Sequence, residues 1–176
     1  MKTSDAWELS KTITSGMHFG RGIGGGWSFY DSDRHDLRWS TDLLGRIILL
    51  IGNEDVVFNS GFVTEEEHIS GEIIVLTVSR IIRATFKVAP QEGGPRSGLK
   101  LVANVSAQRR SSIESVEVLS ASLLDSDPNA EWPKRFSVRM TMKDETSILL
   151  PLTGPIRDFD EFRTAEVVSE LLLTQQ

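Results

Sequence analysis

Between Gly71 and Val88 apolar and polar residues alternate with a period of two. Ile74, Leu76, Val78, Ile82, Ala84, Phe86 and Val88 take the even positions, interrupted by Arg80, while Arg83, Thr85 and Lys87 take odd ones. Successive side chains of a strand point to opposite faces. The spacing therefore predicts two half-buried strands turning around Val78 to Arg80, with the even-numbered positions together on the core side. Upstream, the continuous apolar run 47–51 reads as another strand, with Gly52, Asn53, Glu54 and Asp55 as turn residues before Val56, Val57, Phe58, Phe62 and Val63. Downstream, a polar loop at 91–98 follows Pro90 and contains Pro95. Leu99, Leu101, Ala103 and Val105 then alternate with Lys100, Asn104 and Ser106. Ile113, Val116 and Val118 mark a segment that begins as a turn and then extends. After the acidic, proline-containing stretch 125–133, Phe136, Val138, Met140 and Met142 alternate with polar residues, and 148–152 completes a hairpin.

Both ends change period. Ser4 is placed to cap a short helix carrying Trp7, Leu9 and Ile13 on one face, with Gly16 as its stop. Near the other end, Asp158 and Glu161 form a capping-box pair, and Phe162, Ala165, Val168, Ser169 and Leu172 make a stripe. This predicts an amphipathic helix buried on the preceding sheet. Between the first helix and the strands, Met17 to Tyr30 interleaves five glycines with bulky side chains, a loop that packs on the domain or orders on a partner. The expected organisation is an N-terminal helix and Gly/aromatic-rich arm over residues 1–45 and a mainly β (α+β) domain over 46–176.

Strand hairpins followed by one amphipathic C-terminal helix resemble the pleckstrin-homology-like (PH-like) fold, in particular small bacterial PH-like domains. The run "GEIIVLTVSRII" from Gly71 to Ile82 is similar to that family's strand ending in Leu-Thr, followed by Arg and a second apolar strand. "SIESVEV" from Ser112 to Val118 and "FSVRMTMKDETSILLPL" before the closing helix extend the resemblance over about residues 46–173. Val78 departs from the charged residue that family carries after Leu-Thr. The resemblance implies a bent antiparallel sheet or partly open barrel, capped at one end by the helix. Members of this family bind phosphoinositides, bind peptides or serve in assembly, so the fold leaves the choice of function open.

At 176 residues, 39% hydrophobic and without cysteine, the chain suits one substantial core and offers neither thiolate ligands nor a cysteine nucleophile. Polar residues after Met1 and Lys2, and apolar runs far below the roughly 20 residues that span a bilayer, lead to an expected cytoplasmic placement, free or peripheral to a membrane. A formal net charge of -6 opposes nucleic-acid binding, which relies on cations displacing counterions from phosphates.

Reactive constellations are sparse. Gly20, Gly22 and Gly25 satisfy G-x-G-x-x-G, but no strand precedes them, so no nucleotide cofactor is expected. Asp31, Asp33, His35 and Asp36 are metal-ligand types in one segment. A calcium loop needs Gly at 36 and Glu at 42, where Asp36 and Asp42 stand, and no metal is expected. Glu65, Glu66, Glu67 and His68 alternate faces on an extended chain. His18, His35 and His68 accompany no nucleophile elbow, so catalytic residues are not assigned.

The leading expectation is a noncatalytic binding or assembly module engaging a protein partner or its own copies. Phe19, Trp27, Phe29, Tyr30 and Trp39 are its candidate contact residues, because large aromatics outside regular strands bury much area at low entropic cost. The alternative is peripheral binding of anionic lipid by Lys87, Arg96, Lys100, Arg109 and Arg110. A metal-dependent hydrolase at residues 31–36 is the third reading.

Overall fold

The computed structural model describes residues 2–15, 17–19, 38–65, 68–90, 99–121, 136–150 and 152. The expected C-terminal helix at 158–172 and most of the glycine-rich arm lie outside them. In chain order the elements are α1 (Thr3–Ser15), β1 (Met17–Phe19), α2 (Arg38–Ile51), β2 (Val56–Glu65), β3 (Ile69–Thr77), β4 (Arg80–Pro90), β5 (Leu99–Arg109), β6 (Ile113–Ala121), β7 (Phe136–Met142) and β8 (Ser147–Leu150), with a 3₁₀ turn at Arg110–Ser112 between β5 and β6. The fold is mainly β. β1 to β5 form one sheet in sequence order, antiparallel except for the short parallel pair β1·β2, and β6 to β8 form a second, antiparallel sheet. Among the described residues no ladder closes the two sheets into a barrel.

α1 starts two residues earlier than Ser4 implies. Lys2 accepts the amides of Asp5 and Ala6 through its carbonyl, and its own amide donates to Asp5 Oδ2 at 2.9 Å, so Lys2 stands at the cap and Ser4 lies inside the helix. Its other end is held when Asn59 Nδ2 donates to the Thr12 carbonyl at 3.0 Å.

α2 replaces the strand expected at 47–51. Trp39, Leu43, Ile47 and Ile51 are buried four residues apart, with Ser40, Leu44 and Ile48 beside them, which is helical spacing. The apolar run alone is too short to distinguish strand from helix; the period emerges only when the window reaches back to Arg38. Asp42 and Arg46 pair on the outer side at 2.7 Å, and Gly52, at φ 68°, ends the helix where other residues pay for left-handed backbone. Residues 45 and 46 both fall within this helix.

The β3–β4 hairpin has the expected strands and turn, but its faces cross parity. Ile73 pairs with Ala84, Val75 with Ile82, and Ile74 with Arg83, so odd positions of β3 share a face with even positions of β4. The even-numbered residues therefore do not form one core side. Ile73, Val75, Ile82, Ala84, Phe86 and Val88 face the helices, together with Ile13, Leu43 and Ile47. Ile74, Leu76 and Ile81 face the second sheet and pack with Phe58, Val138, Met140 and Leu150. Val78 is at the exposed turn. The first sheet is thus covered by helices on one face and, over part of the other, by the second sheet; Leu152 is tied across by its amide to Ser60 Oγ at 2.9 Å.

Candidate functional site

The second sheet leaves part of the first sheet's other face open. Lys87, Val102 and Lys100 share that face, because Lys87 stands opposite Val102 and Ala89 opposite Lys100 in the β4·β5 ladder. Val102 is 62% exposed there, and Lys87, Lys100, Asn104 and Ser106 are exposed beside it. β5 is the last strand of its sheet, so one side of its backbone pairs with β4 and the other side forms an edge among the described residues. The four residues Ser106, Ala107, Gln108 and Arg109 are exposed on both faces.

Edge strands template pairing with another chain, and proteins blunt them by shortness, bulges or charge. Of the edges in this fold, β1 has 3 residues and β8 has 4, while β6, of 9 residues, carries register shifts between Ile113 and Ser115 and between Val118 and Ser120. β5 differs from all three. Its 11 residues pair with β4 without a register shift, and they contain no proline and no acid, with Lys100 and Arg109 near its two ends.

At the Arg109 end an open cleft of about 390 Å³ is lined by Gln108, Arg109, Ser111, Ser112, Met142, Lys143 and Asp144. Its floor is fixed by backbone bonds. The Arg110 amide donates to the Ser79 carbonyl at 2.8 Å, and the Lys143 amide to the Ser112 carbonyl at 2.8 Å. Asp144 is already engaged: Oδ1 accepts from the Thr146 hydroxyl at 2.6 Å and its amide at 3.0 Å, and Oδ2 accepts from Gln108 Nε2 at 3.2 Å. The Thr146 hydroxyl, then its amide, hold the Asp144 carboxyl below the usual carboxylate range. Arg109 and Lys143 form no ion pair among the described residues, so the cleft presents two cations and two hydroxyls beside the Asp144 carboxylate.

Behind this corner a polar clamp joins α2 to the β3–β4 turn. Glu54 Oε2 accepts from Thr77 Oγ1 at 2.6 Å and from the Ser79 amide at 3.0 Å, while Arg80 Nε lies 3.1 Å from Oε1 and its Nη1 donates to the Leu50 carbonyl at 2.6 Å. The Thr77 and Ser79 hydroxyls lower the Glu54 pKa. On the opposite side of that loop, a 560 Å³ groove between α1 and β2 is lined by Asp5, Glu8, Glu54 and Asp55 with Leu9 and Val56. Among the described residues no group of three or more metal-ligating side chains gathers.

The expected contact residues fall in different places. Trp39 is 3% exposed and stacks on Phe86 with ring centroids 5.7 Å apart, so its ring lies in the core. Phe19 belongs to β1, with its side chain outside the description, and Trp27, Phe29 and Tyr30 lie outside the described residues. Of the lipid candidates, Lys87, Lys100 and Arg109 are exposed and Arg96 lies outside the described residues. Arg110 is only 5% exposed and its Nη1 donates to the Thr77 carbonyl at 3.2 Å. Lys100 and Arg109 stand nine positions apart along the strand, about 30 Å at the usual rise, so these cations make two ends rather than one patch. The segment 31–36 and the glycines at 20, 22 and 25 lie outside the described residues. Lys143 was not singled out by sequence, since only the hairpin geometry carries it to Arg109.

No protein-family model matches the chain, and no curated protein and no solved structure matches it significantly.

Proposed function

We propose that this chain is a noncatalytic PH-like binding module that engages a protein partner by strand addition at β5. One observation carries the reading: among the described residues β5 is a long, regular edge, while the other edges are short or bulged. Added backbone hydrogen bonds supply affinity in such recognition, and side chains alternating across the sheet supply selectivity. The PH-like assignment draws on the succession of a four-strand antiparallel meander, β2 to β5, and a three-strand one, β6 to β8, followed by the segment whose sequence has helical period. An antiparallel match of β5 with β5 of a second copy, centred on Asn104, sets Lys100 opposite Gln108 and Arg109 opposite Leu99, and a shift by one residue sets Lys100 opposite Arg109, so both registers bring like charges close.

Hydrogen exchange of the full chain, with and without an extended peptide of alternating valine and threonine, tests this reading. Slowed exchange of the β5 amides is expected. Unchanged exchange over β5, with slowing at β1, β6 or β8 instead, would discard it.

Anionic lipid is the second reading, favoured by the exposure of Lys87 and Lys100 on one face. About 1 kcal/mol per surface cation at an anionic membrane leaves two lysines with weak binding. Co-sedimentation with phosphatidylserine vesicles at low salt supports it, and absence of co-sedimentation removes it.

A further inference from the structure

We infer that the partner segment added at β5 is acidic, with a carboxylate-bearing residue seated in the Arg109–Lys143 cleft; this rests on strand addition at β5 and names the chemistry of what is added. Three observations converge. β5 itself carries Lys100 and Arg109 and no acid, although the chain as a whole has a net charge of -6. The neighbouring strand adds exposed Lys87 opposite Val102, on the face where the partner's alternate side chains would lie. The strand edge then runs at its Arg109 end into a cleft of about 390 Å³, which adds Lys143 and the Ser111 and Ser112 side chains.

The cleft's one carboxylate, Asp144, offsets one of the two cations and leaves the cleft net positive. Asp144 is satisfied by Thr146 and Gln108. Arg109 and Lys143 therefore retain their capacity for charge-assisted hydrogen bonds, which are shorter and stronger than neutral ones. Ser112 is oriented differently, because its hydroxyl donates to the Arg109 carbonyl and keeps its oxygen lone pairs as acceptors. The donors for an incoming carboxylate are accordingly Arg109, Lys143 and the Ser111 hydroxyl. An acidic residue at the end of the added strand meets them, while an acidic residue at its other end meets Lys100, with Lys87 adding positive charge one strand farther in. Charge placed at both ends of an edge also fixes register, since a slip by one residue turns every side chain to the other face.

The test compares two peptides on the full chain: alternating valine and threonine with glutamates at both ends, and the same peptide with lysines there. Fluorescence anisotropy gives affinity, and hydrogen exchange locates the contact. The glutamate peptide is expected to bind at least about tenfold tighter at low salt, to lose that advantage as salt rises, and to slow exchange in β5. R109E and K143E are each expected to weaken it about tenfold, with the lysine peptide unaffected or improved. Both residues are exposed, and an unchanged thermal midpoint confirms that the variants fold. Equal affinity for the two peptides, with exchange still slowed in β5, overturns the acidic preference and leaves strand addition standing. A glutamate preference that survives R109E and K143E overturns the cleft assignment. No slowing in β5 with either peptide overturns strand addition itself.

Discussion

Trp39 shows how a single residue changes meaning once its element is known. Aromatic residues outside strands are reasonable interface candidates, but Trp39 begins the buried stripe of α2 and stacks on Phe86. Trp39→Ala is therefore expected to lower unfolding stability by about 3–5 kcal/mol, the range for truncating a buried large aromatic, read from urea midpoints. A change below about 1 kcal/mol would contradict its place in the core. Gly71 is constrained from the other side. A Cβ there would collide with the Phe62 carbonyl and the Phe86 ring, so Gly71→Ala is expected to cost about 1–3 kcal/mol even though glycine ordinarily weakens a strand interior. Glu54 shares the acid-side pH dependence with Asp144 and Asp5. The folded pKa of Glu54 lies below the ordinary 4.5, so its contribution is complete above that value and is lost as pH falls through the lower folded value. Glu54→Gln should flatten stability against pH on that acid limb; an unchanged slope would show that the clamp of Thr77, Ser79 and Arg80 does not distinguish the charged form.

At the scale of elements, β2 to β8 were legible from alternation and turn residues, and α1 from spacing. α2 was not, because five consecutive apolar residues satisfy either period, and the deciding residues Trp39, Leu43 and Leu44 stand before the run. Leu49 also hides the pattern, being apolar yet 77% exposed. The two leucines separate the alternatives experimentally. Leu43→Ala should cost about 2–5 kcal/mol, whereas Leu49→Lys, on the solvent side of the helix, should stay within about 0.5 kcal/mol. Similar losses at both positions would contradict the helical face. The hairpin's parity was illegible for another reason. Alternation within each strand identifies two faces, but which face of β3 continues into which face of β4 depends on register, and partner numbers here sum to an odd value, as in Ile73 with Ala84.

For the whole molecule, the candidate site is a product of topology. Lys87, Lys100 and Arg109 can be picked out as cations in the sequence, but their division between two ends of one edge, the burial of Arg110 and the arrival of Lys143 beside Arg109 all require the strands to be assembled. Burial of Arg110 alone removes one of the charges that composition offers to an anionic surface. What distinguishes β5 is likewise a comparison across the fold, since only the other edges, short at β1 and β8 and bulged at β6, make its length and regularity informative. The most direct test is residue-resolved amide exchange of the full chain with the glutamate-ended peptide. Slowing concentrated in β5 and strongest toward Arg109 is expected; exchange in β5 that is unchanged at saturating peptide would contradict strand addition there.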